Sequence, residues 1–195
     1  MTFQIIIMNN QREVTMNLAN RITIFRILLI PIFMAFVLVD IKYNRLISAL
    51  VFSFAALTDS LDGYIARSRN QITVFGKFAD PLADKLLISA ALLVLVELGE
   101  VSSWMAFIII AREFIITGFR VLAAAEGIVI AASWWGKIKT ITQIVAIIAT
   151  LLNNFPFSYI NFPFSKIAMG LAVILTVISG FDYIYLNRKI FNKDN

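Results

Sequence analysis

Apolar residues dominate six stretches of the chain, and polar residues collect in the short segments between them. The apolar stretches run over about 22–39, 46–66, 82–98, 104–125, 138–152 and 167–186. Each is near the roughly 20 residues that a helix needs to cross the hydrocarbon core of a bilayer. The pattern therefore predicts an all-α bundle of six transmembrane helices.

Composition places this bundle in a membrane. The chain has 195 residues, of which 60% are hydrophobic, a larger apolar share than that of an ordinary soluble domain. Its mean hydropathy is +0.85. We expect an integral membrane protein with a single membrane domain over residues 16–195. Residues 1–15 are interpreted as an N-terminal extension.

Basic residues predict the orientation. With six spans both termini lie on one side, and of the 17 basic residues only Lys42, Arg45 and Lys166 then fall on the other side. The positive-inside rule puts both termini in the cytoplasm, in a multi-pass protein of the cell membrane. The net charge of +5 suits anionic lipids or anionic substrates. Because the basic residues are spread over helix ends, a nucleic-acid partner is not expected.

Two missing residue types limit the chemistry. The sequence contains no cysteine and no histidine, which excludes disulfides, zinc sites built on those ligands and serine–histidine catalysis. A general base must therefore be Asp, Glu, Lys or Tyr. Metal ligands must be oxygen atoms, which favours Mg²⁺, Mn²⁺ or Ca²⁺.

Four of the 12 acidic residues lie within one stretch of 26 residues, at Asp59, Asp62, Asp80 and Asp84. Asp59 and Asp62 share one helix face, and so do Asp80 and Asp84. The two pairs lie at the ends of consecutive antiparallel helices, so the four carboxylates can converge on a cation that offsets their repulsion. The alternative is that they cap helices at the membrane edge, with Asp80 as an N-cap before Pro81.

Four cations follow on the next two predicted spans. Arg112 and Arg120 are eight residues apart, on nearly one face and about 12 Å apart along the helix axis. Arg112 lies inside its span, so it is expected to face the bundle interior or a wet cavity, where Glu113 could pair with another group. Lys137 and Lys139 enter the fifth span from the same side. These cations suit an anionic acceptor, although Arg120 could snorkel and the lysines could simply anchor the helix.

The residues from Asp59 to Asp84 form the pattern D-x2-D-G-x2-A-R-x8-G-x3-D-x3-D. This pattern resembles the signature of the CDP-alcohol phosphotransferase family at all eight fixed positions. Residues 20–26, 109–120 and 136–140 are also similar to the branch of bacterial phosphatidylglycerophosphate synthases. The resemblance covers nearly the whole chain after Met16.

The resemblance implies an enzyme that transfers the phosphatidyl group of CDP-diacylglycerol to glycerol 3-phosphate and releases CMP. It implies a bound divalent metal, with two Mg²⁺ expected and Mn²⁺ possible, and a homodimer with its active site facing the cytoplasm. Asp59, Asp62 and Asp80 would be metal ligands, and Asp84 would be the general base that also touches the second metal. The acceptor would meet Arg112, Arg120, Lys137 and Lys139. Residues expected to bind the CDP-diacylglycerol are Gly63, Ala66, Arg67, Gly76 and, on the first helix, Asn20, Thr23 and Arg26.

Other functions stay open from the sequence. Within the family, the acceptor could be serine or inositol phosphate, or the product could be cardiolipin. Intramembrane prenyltransferases also use aspartates and Mg²⁺, but the D-G-x2-A-R core and the later D-x3-D spacing fit them poorly. An ion transporter would distribute its charges through the midplane, whereas here the acids gather near one face.

Overall fold

The computed structural model describes residues 18–68, 74–125, 127, 128, 130 and 133–188. Side chains are described for these residues except at 18, 19, 59–68, 74–78 and 125. The described residues form six α-helices and no strand, which confirms the all-helical prediction. In chain order the helices are α1 (Leu18–Leu38), α2 (Asn44–Ser68), α3 (Val74–Glu97), α4 (Ser103–Ala125), α5 (Trp134–Leu151) and α6 (Phe164–Leu186), with a short 3₁₀ turn at Phe157–Ile160 before α6.

The start of α3 differs from the prediction. The helix begins at Val74, eight residues before the apolar stretch, so Asp80 and Pro81 lie inside it. The interpretation of Asp80 as an N-cap is therefore wrong. Hydropathy reports where side chains become apolar, whereas the helical hydrogen bonds continue through the polar residues before that point. Asp80 and Asp84 consequently project from successive turns of one continuous helix.

Close helix contacts build the core around α3. Helix α1 packs on α2 and α3, α4 packs on α3 and α6, and α5 packs on α6 and α2. Alanines recur at the buried contacts, including Ala55, Ala83, Ala91, Ala146 and Ala172. Small side chains let helix backbones approach closely, which is how helices associate when lipid supplies no hydrophobic driving force. Larger residues such as Phe33 and Phe52, with ring centroids 5.7 Å apart, fill the remaining space.

Polar contacts identify the two ends of the bundle. At one end the Thr23 hydroxyl of α1 donates a hydrogen bond to Oδ1 of Asp80 in α3. At the other end Arg45, at the start of α2, forms an ion pair of 3.3 Å with Glu100, after α3. The predicted site residues therefore share the end of the bundle opposite to the Arg45–Glu100 pair.

Two helices qualify as membrane spans by length and composition among the described residues, Asn20–Leu38 and Phe164–Leu186. The apolar part of α2 is shorter, at Asn44–Thr58. The intervening helices carry more charge, such as Asp80, Asp84 and Lys85 in α3. Together with many exposed large hydrophobic side chains, this supports a membrane protein, while the six-span arrangement stays a prediction.

Candidate active site

A cavity of about 520 Å³ opens between α3, α4, α5 and α6. Ionisable groups from all four helices line it, and apolar residues such as Ala56, Leu87 and Ile144 close the remaining walls. The ionisable residues that line it are Asp84, Lys85, Arg112, Glu113, Arg120, Lys137 and Tyr183. The fold thus brings one predicted base and three predicted acceptor cations to a single cavity.

Arg112 and Glu113 line this cavity and form an ion pair with each other. The Arg112 Nη1 atom lies 3.3 Å from Oε1 of Glu113, and each side chain is 14% exposed. The same Oε1 atom accepts a hydrogen bond from the ammonium of Lys139, whose side chain is 3% exposed. The partner expected for Glu113 is therefore Lys139 on the next helix, and this carboxylate contacts both the buried Lys139 and the largely buried Arg112.

Lys137 and Lys139 take different positions although they are two residues apart. Lys137 is exposed, lines the cavity and lies 5.7 Å from the ring centroid of Trp134. Lys139 is buried against Glu113, next to a small void of about 10 Å³ behind the cavity. That void is about the size of one water, and the buried amide Nε2 of Gln143, which lines it, has no hydrogen-bond partner in the described part of the chain. Lys139 thus supports the site from behind, which simple anchoring at the membrane surface does not explain.

Replacing Glu113 by Ala is expected to destabilise the fold by about 3–5 kcal/mol, because it leaves two buried cations without their shared carboxylate. Thermal unfolding of the purified protein in detergent measures this loss. Glu100→Ala is the matched control, since it breaks an ion pair whose glutamate is 38% exposed and is expected to cost about 1 kcal/mol or less. Equal losses in the two variants would contradict the role assigned to Glu113.

Arg120 is held by a residue from the last helix. Its Nε atom donates a hydrogen bond of 3.0 Å to the Tyr183 hydroxyl, and its guanidinium carbon lies 5.3 Å from the centroid of that ring. Tyr183 is 2% exposed and meets Phe119 edge to face, with centroids 5.9 Å apart. Arg120 is therefore fixed at the cavity rim, which snorkelling would not require.

The predicted residues of α1 lie beside Asp80. Asn20, Thr23 and Arg26 are all at most 1% exposed, and Thr23 binds the Asp80 carboxylate. Arg26 donates through Nε to the Thr58 hydroxyl of α2 at 3.4 Å. These contacts tie the start of α1 to the ends of α2 and α3 that carry the aspartates.

Several predicted residues have no described side chain. Asp59, Asp62, Gly63, Ala66 and Arg67 lie on the last turns of α2, and Gly76 lies on the first turn of α3. Their helical placement is described, but the convergence of all four carboxylates lies outside the described residues. Among the side chains that are described, no three acidic groups come together as a metal site.

Sequence reasoning missed three residues that contribute to the site. Tyr183 and Gly180 lie on an apolar helix, and nothing in the sequence distinguishes Gln143 from other polar residues inside a predicted span. Gly180 lies against Arg112: a Cβ atom at this position would be 3.3 Å from Cγ and 3.9 Å from Nε of Arg112. The one available signal was the general tendency of polar residues within an apolar helix to face the interior of the bundle.

A sequence model described as CDP-alcohol phosphatidyltransferase matches residues 16–178. The chain therefore belongs to the CDP-alcohol phosphatidyltransferase family, a family of enzymes, as the resemblance predicted.

Curated relatives match over most of their length. The chain is 46% identical over 191 residues to a Bacillus subtilis protein, covering 92% of this chain and 99% of that protein. It is 35% identical over 176 residues to a Rickettsia felis protein, covering 90% and 97%. It is 39% identical over 174 residues to a Haemophilus influenzae protein, covering 86% and 91%. Each of these relatives is named CDP-diacylglycerol–glycerol-3-phosphate 3-phosphatidyltransferase.

Proposed function

We propose that this protein transfers the phosphatidyl group of CDP-diacylglycerol to glycerol 3-phosphate, giving phosphatidylglycerophosphate and CMP. The observation that carries the proposal is the cavity in which Asp84 meets Arg112, Arg120 and Lys137. The names of the relatives point to the same pair of substrates. The protein then serves phospholipid biosynthesis, in the pathway to phosphatidylglycerol.

The charge of the cavity favours a phosphorylated acceptor. Four basic residues line it, Lys85, Arg112, Arg120 and Lys137, and guanidinium groups bind phosphate through paired N–H donors. The Nε atom of Arg112 is buried without a hydrogen-bond partner in the described part of the chain, so this guanidinium has donor capacity that the described residues do not use. Serine is zwitterionic and free inositol is neutral, so neither needs this cluster. Inositol phosphate and phosphatidylglycerol also carry phosphate, and they are the alternatives that an assay must separate.

The donor side of the site fits a hard divalent cation. The predicted ligands are all carboxylates, and Thr23 orients one of them, Asp80, by a hydrogen bond to a single oxygen. Two Mg²⁺ ions, or Mn²⁺ in their place, would be held by Asp59, Asp62 and Asp80, with Asp84 at the second ion. When bound, such ions neutralise the pyrophosphate of the donor and the leaving CMP. The residues proposed to contact CDP-diacylglycerol are Gly63, Ala66, Arg67, Gly76, Asn20, Thr23 and Arg26.

Asp84 is proposed as the general base. It lines the cavity beside the acceptor cations, and it acts electrostatically on Lys139 behind them. In the reaction the acceptor hydroxyl loses its proton to Asp84, its oxygen bonds to the phosphatidyl phosphorus, and the bond from phosphorus to CMP breaks. A carboxylate can accept this proton directly or through one water.

The membrane arrangement is proposed from the position of the site. The predicted site residues lie at one end of the bundle, the end where most basic residues fall. The positive-inside rule makes this the cytoplasmic end, in a six-span protein of the cell membrane with both termini inside. Water-soluble glycerol 3-phosphate would then reach the cavity from the cytoplasm. A homodimer is proposed from the family resemblance.

The test is transfer of radiolabelled glycerol 3-phosphate into lipid by the purified protein with CDP-diacylglycerol and Mg²⁺. Parallel reactions offer serine, inositol phosphate or phosphatidylglycerol and follow CMP release. We expect label in lipid with glycerol 3-phosphate, CMP release that depends on this acceptor, and loss of both in EDTA. CMP release with a different acceptor would overturn the acceptor assignment, and full activity in EDTA would overturn the metal assignment.

A further inference from the structure

Two residues of α6 contact the two arginines of the cavity. Gly180 and Tyr183 are three residues apart, so they share one face of the helix, and both are buried. Gly180 lies against Arg112, and Tyr183 binds Arg120. The rest of this helix is mostly apolar, and it carries no predicted site residue.

Tyr183 restrains a side chain that would otherwise be mobile. Arg120 is exposed, and an exposed arginine can adopt many rotamers, whose loss opposes ligand binding. The hydrogen bond to the Tyr183 hydroxyl and the ring contact both restrict it. Tyr183 in turn is fixed by Phe119, one residue before Arg120. The bond uses Nε of Arg120 and leaves both Nη groups for an anionic ligand.

Gly180 provides the space that Arg112 occupies. A methyl group at position 180 would lie 3.3 Å from Cγ of Arg112, closer than ordinary carbon contacts. Arg112 also forms an ion pair of 3.3 Å with Glu113. The Arg112 side chain therefore has contacts at both its stem and its guanidinium, and a side chain at residue 180 would crowd the stem.

We propose that α6 is the positioning element of the acceptor site, with Tyr183 setting the orientation of Arg120 and Gly180 setting that of Arg112. Both arginines then bind the phosphate of glycerol 3-phosphate. Neither α6 residue takes part in the chemical step, so both are positioning residues for acceptor recognition. This inference rests on the proposed function.

Tyr183→Phe tests the hydrogen bond and keeps the ring. Loss of one hydrogen bond to a charged group is expected to raise the KM for glycerol 3-phosphate about tenfold. The KM for CDP-diacylglycerol and kcat are expected to stay within about twofold. Tyr185→Phe is the matched control, because Tyr185 lies on the same helix but is exposed and stacks on Arg188.

A double-mutant cycle distinguishes positioning from general destabilisation. If Tyr183 acts through Arg120, Tyr183→Phe adds less than about twofold to the KM of an Arg120→Ala variant. An equal effect in both backgrounds, or parallel changes in kcat and in both KM values, would overturn the inference. Failure of the unmodified protein to use glycerol 3-phosphate would instead overturn the proposed function and this inference with it.

Gly180→Ala tests the role of Gly180 independently of Tyr183. The added methyl group is expected to displace Arg112 by a few tenths of an ångström and to raise the KM for glycerol 3-phosphate roughly three- to tenfold. Gly170→Ala, on the same helix, is the control, because a Cβ atom there meets nothing within 4 Å. The same KM in both alanine variants would show that Gly180 has no positioning role.

Discussion

Replacing Asp84 by Asn is expected to lower kcat for glycerol 3-phosphate transfer by roughly 10²–10⁴-fold, the contribution typical of a general base. The amide has nearly the size of the carboxylate, so the cavity keeps its shape while it loses the proton acceptor. Because Asp84 lies beside the acceptor cations, the effect should fall on turnover. Binding of CDP-diacylglycerol should change little.

Two measurements separate this role from a structural one. Steady-state kinetics with each substrate varied gives kcat, and equilibrium binding of CDP-diacylglycerol gives the affinity for the donor. Asp40→Asn is the control, because Asp40 is exposed in the turn between α1 and α2, away from the cavity. Loss of donor binding in the Asp84 variant, with proportionate loss of activity, would show that Asp84 acts by holding the donor and would overturn its assignment as the base.

Replacing Asp80 by Ala is expected to reduce transfer by more than about 10²-fold and to weaken metal binding. Outer-shell partners of a metal already contribute about 10–100-fold, and Asp80 is proposed as a direct ligand. Its neighbours support this role, because the buried Thr23 hydroxyl orients one carboxylate oxygen and leaves the other for a cation. The variant also loses the Thr23–Asp80 hydrogen bond between α1 and α3.

Binding of Mn²⁺, followed by electron paramagnetic resonance, measures the metal affinity without relying on activity. Thr23→Val is the matched comparison, since it removes the same hydrogen bond but keeps the carboxylate. We expect a large loss of Mn²⁺ affinity in the Asp80 variant and a small loss in the Thr23 variant. Equal affinities in the unmodified protein and the Asp80 variant would remove Asp80 from the metal site.

Most of the helical architecture could be predicted from the sequence. Apolar stretches of bilayer length must satisfy their backbone hydrogen bonds internally, so they form helices, and all six occur. The beginning of α3 could not be predicted in this way, because Gly76 and Asp80 belong to the helix by hydrogen bonding although they precede its apolar part. The consequence for the site is direct, since Asp80 and Asp84 are held on one rigid element.

Of the four cations that the pattern predicted for the acceptor site, Arg112, Arg120 and Lys137 line the cavity, whereas Lys139 lies behind it against Glu113. A guanidinium inside an apolar span must find a polar environment, and Arg112 does line the cavity. That Lys139 turns to Glu113 while Lys137 stays exposed depends on the rotation of α5 against α4. No local pattern distinguishes these two lysines.

The sequence by itself determined the helix content, the membrane character, the family and the identity of the ionisable groups, because each depends on residue type and spacing along one segment. Only the tertiary structure decided that Glu113 joins Arg112 to Lys139, and that Gly180 and Tyr183 of the last helix restrain the two arginines. Lys139 follows Glu113 by 26 positions in the sequence, and Tyr183 follows Arg120 by 63. These contacts arise from how close-packed helices rotate and approach, which depends on the fit of many side chains at once.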